Sequence, residues 1–122
     1  KVLKNELTAI NQYFLHSRML ADWGLSEFAK KEYEESIDEM KHADVLVNRI
    51  LFLQGIPNLQ DLGKLMIGEN VQEILECDMK LEENGKADLK AAIVACEESQ
   101  DFTSADMLHK ILESEEEHVL FI

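Results

Sequence analysis

Apolar residues recur along the chain at spacings of three and four positions, which is the repeat of an α-helix with one buried face. Four such stretches predict four helices, at about 1–23, at about 26–54, from near 69 through 96, and from 101 onward. Gly24 ends the first helix, and Gly55 with Pro57 ends the second. The pattern therefore predicts an all-α fold with four helices.

Local signals refine where these helices begin and break. Ser26 is expected to cap the second helix, and Thr103 or Ser104 to cap the fourth. Residues 83–86, with the sequence ENGK, predict a turn that interrupts the third helix, with a glycine kink inside one continuous helix as the alternative. Residues 55–68 form a leucine-rich connection that is long enough to cross the length of a bundle.

Acidic residues and histidines occupy positions on the apolar faces of these helices. A Glu-x-x-His spacing occurs on the second helix and again on the fourth, and residues three apart on a helix can reach one point. The other two helices also turn carboxylates inward. The polar residues on the four faces are Glu6 and Tyr13 on the first helix, Glu32, Glu35, Glu39 and His42 on the second, Asp78 and Glu82 on the third, and Glu115 and His118 on the fourth.

Buried carboxylates need compensating positive charge, because an ionised group is poorly solvated in a protein core. The lysines and arginines on these faces supply too little of it. Two divalent metal ions would balance four carboxylates, and imidazoles would add nitrogen ligands. One Glu from each of two helices and a Glu-x-x-His from each of the other two is a known ligand set for two iron or manganese ions in a bundle. The alternative is a solvated acidic face whose helical phase is misassigned.

Composition narrows the possible functions. The 122 residues are expected to form one domain, and 25 acidic against 12 basic residues give a net charge of −13. This balance argues against electrostatic binding of nucleic acid and suits a protein that attracts cations, although it also serves solubility. No stretch approaches the ~20 apolar residues of a membrane span. Cys77 and Cys96 are expected to be reduced, buried thiols of a cytoplasmic protein.

Several further residues have a functional and an ordinary interpretation. His16 and His109 are expected to be partly exposed histidines without a ligand role. Tyr13 either bonds a ligand carboxylate or packs in the core. Met40 shares a helical face with Tyr33 and Ile37, away from the bundle core, and by itself predicts a flexible apolar residue at an interface.

Four segments closely resemble the bacterioferritins, the haem-containing members of the ferritin superfamily. They read NELTAINQYFLHSRMLADWGL, ESIDEMKHAD, RILFLQGIPNLQDLGKLMIGE and ILESEEEH, and the similarity extends over nearly all of the sequence. The resemblance implies a single ferritin-like domain over 1–122, a four-helix bundle with a long crossover between the second and third helices. It also implies that 83–86 is a kink within a continuous third helix.

The resemblance implies a ferroxidase that binds two iron ions per subunit, oxidises Fe(II) with dioxygen or peroxide, and stores ferric mineral inside a shell of 24 subunits. Glu39 and Glu115 would bridge the two irons. The remaining ligands would be Glu6 with His42 for one iron and Glu82 with His118 for the other. Met40 would ligate a haem b shared with a two-fold related subunit, and a small ferredoxin would serve as reductant.

The chain departs from the family in a few places. Position 34 is Glu where many relatives have histidine, so that Glu34 and Asp38 would form an altered inner-surface iron site. Leu46 and Phe121 stand where some relatives have aromatic residues, often Tyr and Trp, near the site, which puts electron delivery through such side chains in doubt. Relatives begin about a dozen residues earlier and continue beyond position 122 into a short fifth helix, so cage assembly would depend on those segments.

Two other interpretations remain open. One is a haem-binding electron-transfer bundle whose di-metal site is structural or idle. The other is a peroxide-detoxifying di-metal protein that stores no iron.

Overall fold

Four helices account for most of the chain. The structure is a computed structural model that describes residues 1–121, with side chains described through Leu120. Its helices are α1 (Val2–Asp22), α2 (Ser26–Phe52), α3 (Val71–Glu98) and α4 (Phe102–Phe121). The described residues include no β-strand, and the prediction of an all-α four-helix bundle is confirmed. No described helix is long and apolar enough to span a membrane.

The long connection between α2 and α3 runs along α1. Backbone N–H groups of Gly63, Met66 and Gly68 donate in turn to side chains of α1 at 2.8, 3.0 and 3.1 Å. The accepting groups are Thr8 Oγ1, Gln12 Oε1 and His16 Nε2, in order toward the end of α1. The chain therefore returns along the bundle before α3 begins. As a result α3 runs parallel to α2 and antiparallel to α1, as expected for a crossover of this length.

The apolar core has two parts with polar residues between them. The larger cluster lies near the start of α1 and the end of α2, and its buried residues are Leu3, Ala43, Leu46, Leu89, Ile93, Leu108 and Ile111. The smaller cluster lies at the other end and consists of Leu20, Ala29 and Ile74. The two clusters hold the helices together at both ends and thereby fix the polar side chains of the intervening turns.

The prediction of a turn at 83–86 is wrong, because α3 continues through these residues. A glycine inside a helix costs only about 1 kcal/mol, which the packing of a long helix on either side outweighs. The cap predictions are also wrong. Leu25 precedes α2, and Ser26 makes no capping hydrogen bond. At α4 the cap is Asp101, whose Oδ1 accepts the Ser104 N–H at 3.1 Å.

Some large apolar residues of α1 and α2 and just beyond α2 are exposed on the single chain. Phe14 is 48% exposed and Phe28 37%, while Leu53 lies beyond the end of α2 and is 54% exposed. On α1 the core positions beside Phe14 belong instead to Tyr13 and Ser17, which are fully or almost fully buried.

Candidate di-metal site

Six polar side chains converge in the middle of the bundle, one or two from each helix. They are Glu6 of α1, Glu39 and His42 of α2, Glu82 of α3, and Glu115 and His118 of α4. All are buried except His42, which is half-buried. At both ends of the bundle, a spacing of three and four residues places leucines in the core. In the middle of the bundle, the same spacing places these polar side chains in the core. The six residues singled out by their position on the helix faces therefore do come together.

One group of donors surrounds His42. Its Nδ1 lies 3.0 Å from Glu115 Oε1, 3.4 Å from Glu6 Oε2 and 3.5 Å from Glu39 Oε2. One donor atom from each of these four residues lies within 4.8 Å of the others, which is a spacing that could hold a metal ion.

A second group surrounds His118. Its Nδ1 lies 3.0 Å from Glu39 Oε1, 3.5 Å from Glu82 Oε1 and 3.7 Å from Glu115 Oε2. These four residues again offer donor atoms within 4.8 Å of one another. The two imidazole rings are stacked at an interplanar angle of 27°, with their centroids 6.5 Å apart.

Glu39 and Glu115 belong to both groups and divide their oxygens between them. Glu39 directs Oε2 toward His42 and Oε1 toward His118. Glu115 directs Oε1 toward His42 and Oε2 toward His118. The arrangement suits two ions held side by side with two carboxylates across them.

The donor atoms lack protein hydrogen-bond partners, which a metal-binding role would explain. Buried atoms without a partner include Oε2 of Glu6, Oε1 of Glu39, Nδ1 of His42, Oε1 of Glu115 and both ring nitrogens of His118. An unpaired buried polar atom costs about 1–3 kcal/mol. No lysine or arginine is among the buried residues in the described part of the chain. Cations fit this ligand set better than a purely structural role does.

Comparison with known proteins agrees with this geometry. The ferritin-like domain family matches residues 1–122. A bacterioferritin of Mycobacterium leprae (strain TN) is 48% identical over 98% of this chain and 76% of its own length. A bacterioferritin of Brucella melitensis biotype 1 is 49% identical over 96% of this chain and 73% of its own length. A bacterioferritin of Rhodobacter capsulatus is 48% identical over 98% of this chain and 74% of its own length.

The chain belongs to the bacterioferritins. This membership supports iron storage and a multi-subunit assembly. The resemblance recognised in the four sequence segments is confirmed.

Burial and neighbouring charges shift the pKa values of the side chains in the site. Burial alone would lower the pKa of His42, but the neighbouring carboxylates of Glu115, Glu39 and Glu6 raise it to about 12. The carboxylates of Glu115, Glu39 and Glu82 raise the pKa of His118 against the effect of burial. Burial raises the pKa of Glu82 to about 8 and that of Glu39 well above its usual value. These four side chains therefore favour their protonated forms near neutral pH.

Glu115 differs from the other carboxylates of the site. Burial would raise its pKa, but the neighbouring imidazoles of His118 and His42 outweigh that effect and lower it. Glu115 thus stays negatively charged between two imidazoles, and it is ready to accept a cation on each oxygen.

Tyr13 bonds a candidate ligand, which decides between its two interpretations. Its hydroxyl donates to Glu82 Oε1, and the ring is fully buried. Burial and the neighbouring Glu82 raise the pKa of Tyr13 well above its usual value, so the hydroxyl remains a donor. Tyr13 therefore orients Glu82 within the site.

The residues expected at an inner-surface iron site lie outside the two donor groups. Asp38 Oδ2 is 3.6 Å from His118 Nε2, and the Asp38 side chain is 47% exposed. Glu34 is exposed one helical turn away on α2. No donor group found among the described residues includes Glu34 or Asp38.

Met40 lies on an outer face of α2, as predicted. Its side chain is 58% exposed. A shallow cavity of about 360 Å³ is lined by Ile37, Met40, Lys41 and Asp44. The thioether is therefore accessible to a ligand or to a second chain.

The expectation for His16 is wrong. Its side chain is fully buried, with Nδ1 2.9 Å from Asp78 Oδ1. The sequence contained a signal, because His16 follows Tyr13 by three positions on the core face of α1. The helical repeat could not predict the irregular path of the crossover, which brings the Gly68 N–H to His16. His109 is exposed.

Cys77 and Cys96 are free thiols, as predicted. They are half-buried rather than buried, because each lies at the edge of the face that α3 turns toward the bundle. Burial raises the pKa of both thiols.

Proposed function

We propose that the chain is a ferroxidase that oxidises Fe(II) to Fe(III) with dioxygen or peroxide as the first step of iron storage. The observation that carries the proposal is the pair of donor groups that share Glu39 and Glu115. Two ions held by the same two carboxylates can release two electrons together. Two Fe(II) then reduce one dioxygen with two protons to one hydrogen peroxide, or reduce one peroxide with two protons to two waters.

Each residue has a defined task in this proposal. Glu39 and Glu115 bridge the two ferrous substrates. Glu6 with His42 holds one ion, and Glu82 with His118 holds the other. Protons displaced from these groups when iron binds are available to the reduced oxygen species. Oxygen-rich ligand sets suit iron in both oxidation states.

Storage requires product iron to leave the site and collect in an enclosed space. We propose a cytoplasmic shell of 24 subunits, with Glu34 and Asp38 as an inner-surface iron site beside His118. Phe52 and Ile56, 72% and 93% exposed, support an assembly that covers them. A small ferredoxin is the proposed reductant for release. The side chain at position 46 is a leucine, which is not redox-active, so electrons must reach the di-metal site by another path.

The test is stopped-flow oxidation of Fe(II) in air by the wild type, Glu39→Ala and Glu115→Ala. Each variant is expected to lose the fast phase, since one bridge no longer holds the two ions together. Loss of a residue that supports a metal ligand already lowers metal affinity or activity about 10–100-fold. The loss of a bridging carboxylate should therefore lower the rate of Fe(II) oxidation more than about 100-fold. His42→Ala should be milder, because both bridges remain.

Glu116→Ala is the matched control. Glu116 is exposed beside Glu115 and carries the same charge, so this variant should oxidise iron at the wild-type rate. Wild-type rates in both bridge variants would contradict the ferroxidase assignment.

The number of irons retained per chain in the same titration separates storage from the two other interpretations. Retention of many more than two irons supports storage. Saturation at two, with oxidation intact, favours peroxide detoxification without storage. Saturation at two without oxidation favours an idle site in an electron-transfer bundle.

We also propose that Met40 binds haem b together with Met40 of a second chain. The supporting observation is the exposed thioether at the shallow cavity beside Ile37. A two-fold axis at this face would bring residue 40 opposite its own copy, because such an interface uses the same patch on both subunits. The haem would supply one-electron chemistry, and the chain's own part is to provide one sulfur ligand from each side.

A further inference from the structure

A second cluster of buried polar side chains lies farther along the bundle, toward the smaller apolar cluster. It is formed by His16 of α1, Glu32 of α2 and Asp78 of α3. Each offers a donor atom within 4.8 Å of the other two. None of these residues is part of the di-metal site. Glu32 is two turns from Glu39 on α2, and Asp78 is one turn from Glu82 on α3.

The hydrogen bonds show which of these atoms are free. His16 Nε2 accepts the Gly68 N–H at 3.1 Å, so the ring proton is on Nδ1. Nδ1–H then donates to Asp78 Oδ1 at 2.9 Å, and Gln12 Nε2 donates to the same oxygen at 3.1 Å. Both nitrogens of His16 are therefore engaged, which makes His16 a positioning residue for Asp78 rather than a ligand.

Two carboxylate oxygens remain without a partner. Asp78 Oδ2 and Glu32 Oε2 are both buried and make no hydrogen bond. The side chains belong to residues that are 0% and 2% exposed. Orphaned oxygens on fully buried side chains indicate that something else completes the cluster.

Charge balance favours a cation. Seven carboxylates are buried in the described part of the chain: Glu6, Glu32, Glu35, Glu39, Asp78, Glu82 and Glu115. Two divalent ions at the di-metal site would balance four of these. Of the other three, Glu32 and Asp78 offer donor atoms within 4.8 Å of each other, so one divalent ion would neutralise both.

We propose that Glu32 and Asp78 form a third cation site, which takes a divalent first-row transition ion such as Fe(II), Mn(II) or Zn(II). Glu32 Oε2 and Asp78 Oδ2 are the protein ligands, and water completes the coordination. His16 and Gln12 hold Asp78 in place through Oδ1, which leaves Oδ2 directed at the ion. The site uses none of the residues of the proposed ferroxidase site, and only the charge count rests on that proposed function.

The ion competes with a proton. Burial and the neighbouring Asp78 carboxylate raise the pKa of Glu32 to about 11, so that the metal-free pair holds one proton. That proton leaves the pair with a net negative charge, whereas a divalent ion leaves it neutral. Ligand deprotonation makes occupancy of the site increase with pH.

The test combines location and stoichiometry with Zn(II), which has no redox chemistry. Crystals of wild-type protein equilibrated with Zn(II) are expected to show an anomalous scattering peak between Glu32 and Asp78. Equilibrium dialysis against a competing chelator should give three tightly held Zn(II) per wild-type chain. Glu32→Gln should hold two. This variant keeps the size of the side chain and can still donate to Asp78, so the fold should persist.

Two further variants make the outcome decisive. Glu83→Gln removes one charge from an exposed position of α3 and should keep three ions. The double variant Glu39→Ala with Glu115→Ala should keep one ion, which separates failure of the di-metal assignment from failure of the third site. Absence of the anomalous peak, or three ions still held by Glu32→Gln, overturns the proposal and leaves a carboxyl pair that shares a proton.

Discussion

Most side chains of the candidate di-metal site favour their protonated forms near neutral pH, with Glu115 as the exception. The raised pKa values of His42, about 12, and Glu82, about 8, have different origins: the neighbouring carboxylates for the imidazole and burial for the carboxyl group. Under the proposed function, these protons would have to leave before an ion could bind, so iron binding and proton release would be coupled.

This coupling predicts that metal binding weakens as the pH falls. Groups with raised pKa values hold protons at pH 7, so each Zn(II) bound should release roughly one to two protons, and affinity should rise about tenfold per pH unit for each proton released. Calorimetric titration in buffers of different ionisation enthalpy measures this number directly. Glu116→Gln, changed at an exposed position, should release the same number. Affinity that is constant between about pH 6 and pH 8 would contradict the protonation states described here.

At the residue scale, the sequence predicted the composition of the site better than its surroundings. Glu39 and His42 were identifiable because their helical phase matches that of Leu46, which is buried in the core. His16 was not, because its partner Gly68 belongs to an irregular segment whose path periodicity cannot predict.

At the element scale, the helices follow the apolar repeat, whereas local turn signals misled. The Asn-Gly pair at 84–85 is a strong turn signal in isolation, yet α3 passes through it. Asp78 and Glu82 before the pair and Leu89 and Ile93 after it all lie on the buried face of α3. A break would have removed one of these halves from the bundle, so tertiary packing overrides the local preference.

Gly85→Ala is therefore expected to stabilise the protein. A Cβ at this position meets no atom within 4 Å, and the residue is helical. Alanine restricts the unfolded chain more than glycine does and should add about 0.5–1 kcal/mol to the free energy of unfolding. Urea denaturation of the metal-free protein measures this change. Destabilisation by Gly85→Ala would show that the glycine has a packing or kinking role in α3.

Gly68→Ala is the matched comparison and is expected to destabilise the protein. A Cβ there would lie 2.3 Å from the Ile74 backbone nitrogen and 2.6 Å from the Glu73 carbonyl carbon. Backbone atoms at the start of α3 cannot move aside as a flexible side chain can. The expected cost is about 1–3 kcal/mol, which is typical of overpacking.

At the scale of the whole molecule, the crossover explains how one short chain can build this site. Because 53–70 returns along α1, α2 and α3 run parallel, and their carboxylates meet at the same level as those of α1 and α4. The length of the connection predicted this topology. The neighbours of the exposed outer faces could not be predicted, because the periodicity of one chain contains no information on what packs against its outer surface.

The outer face around Met40 gives the sharpest prediction at this scale. Met40→Leu keeps the volume and apolar character of the side chain and removes the sulfur, so two chains should still associate while axial ligation of haem is lost. Haem per chain and near-infrared magnetic circular dichroism of the purified proteins measure ligation, and size-exclusion chromatography measures association. The wild type should hold one haem per two chains, with spectra of two thioether ligands. Met79→Leu, a change at a half-buried methionine of α3, should behave like the wild type. If Met40→Leu binds haem with unchanged ligation bands, Met40 is only a packing residue at the interface.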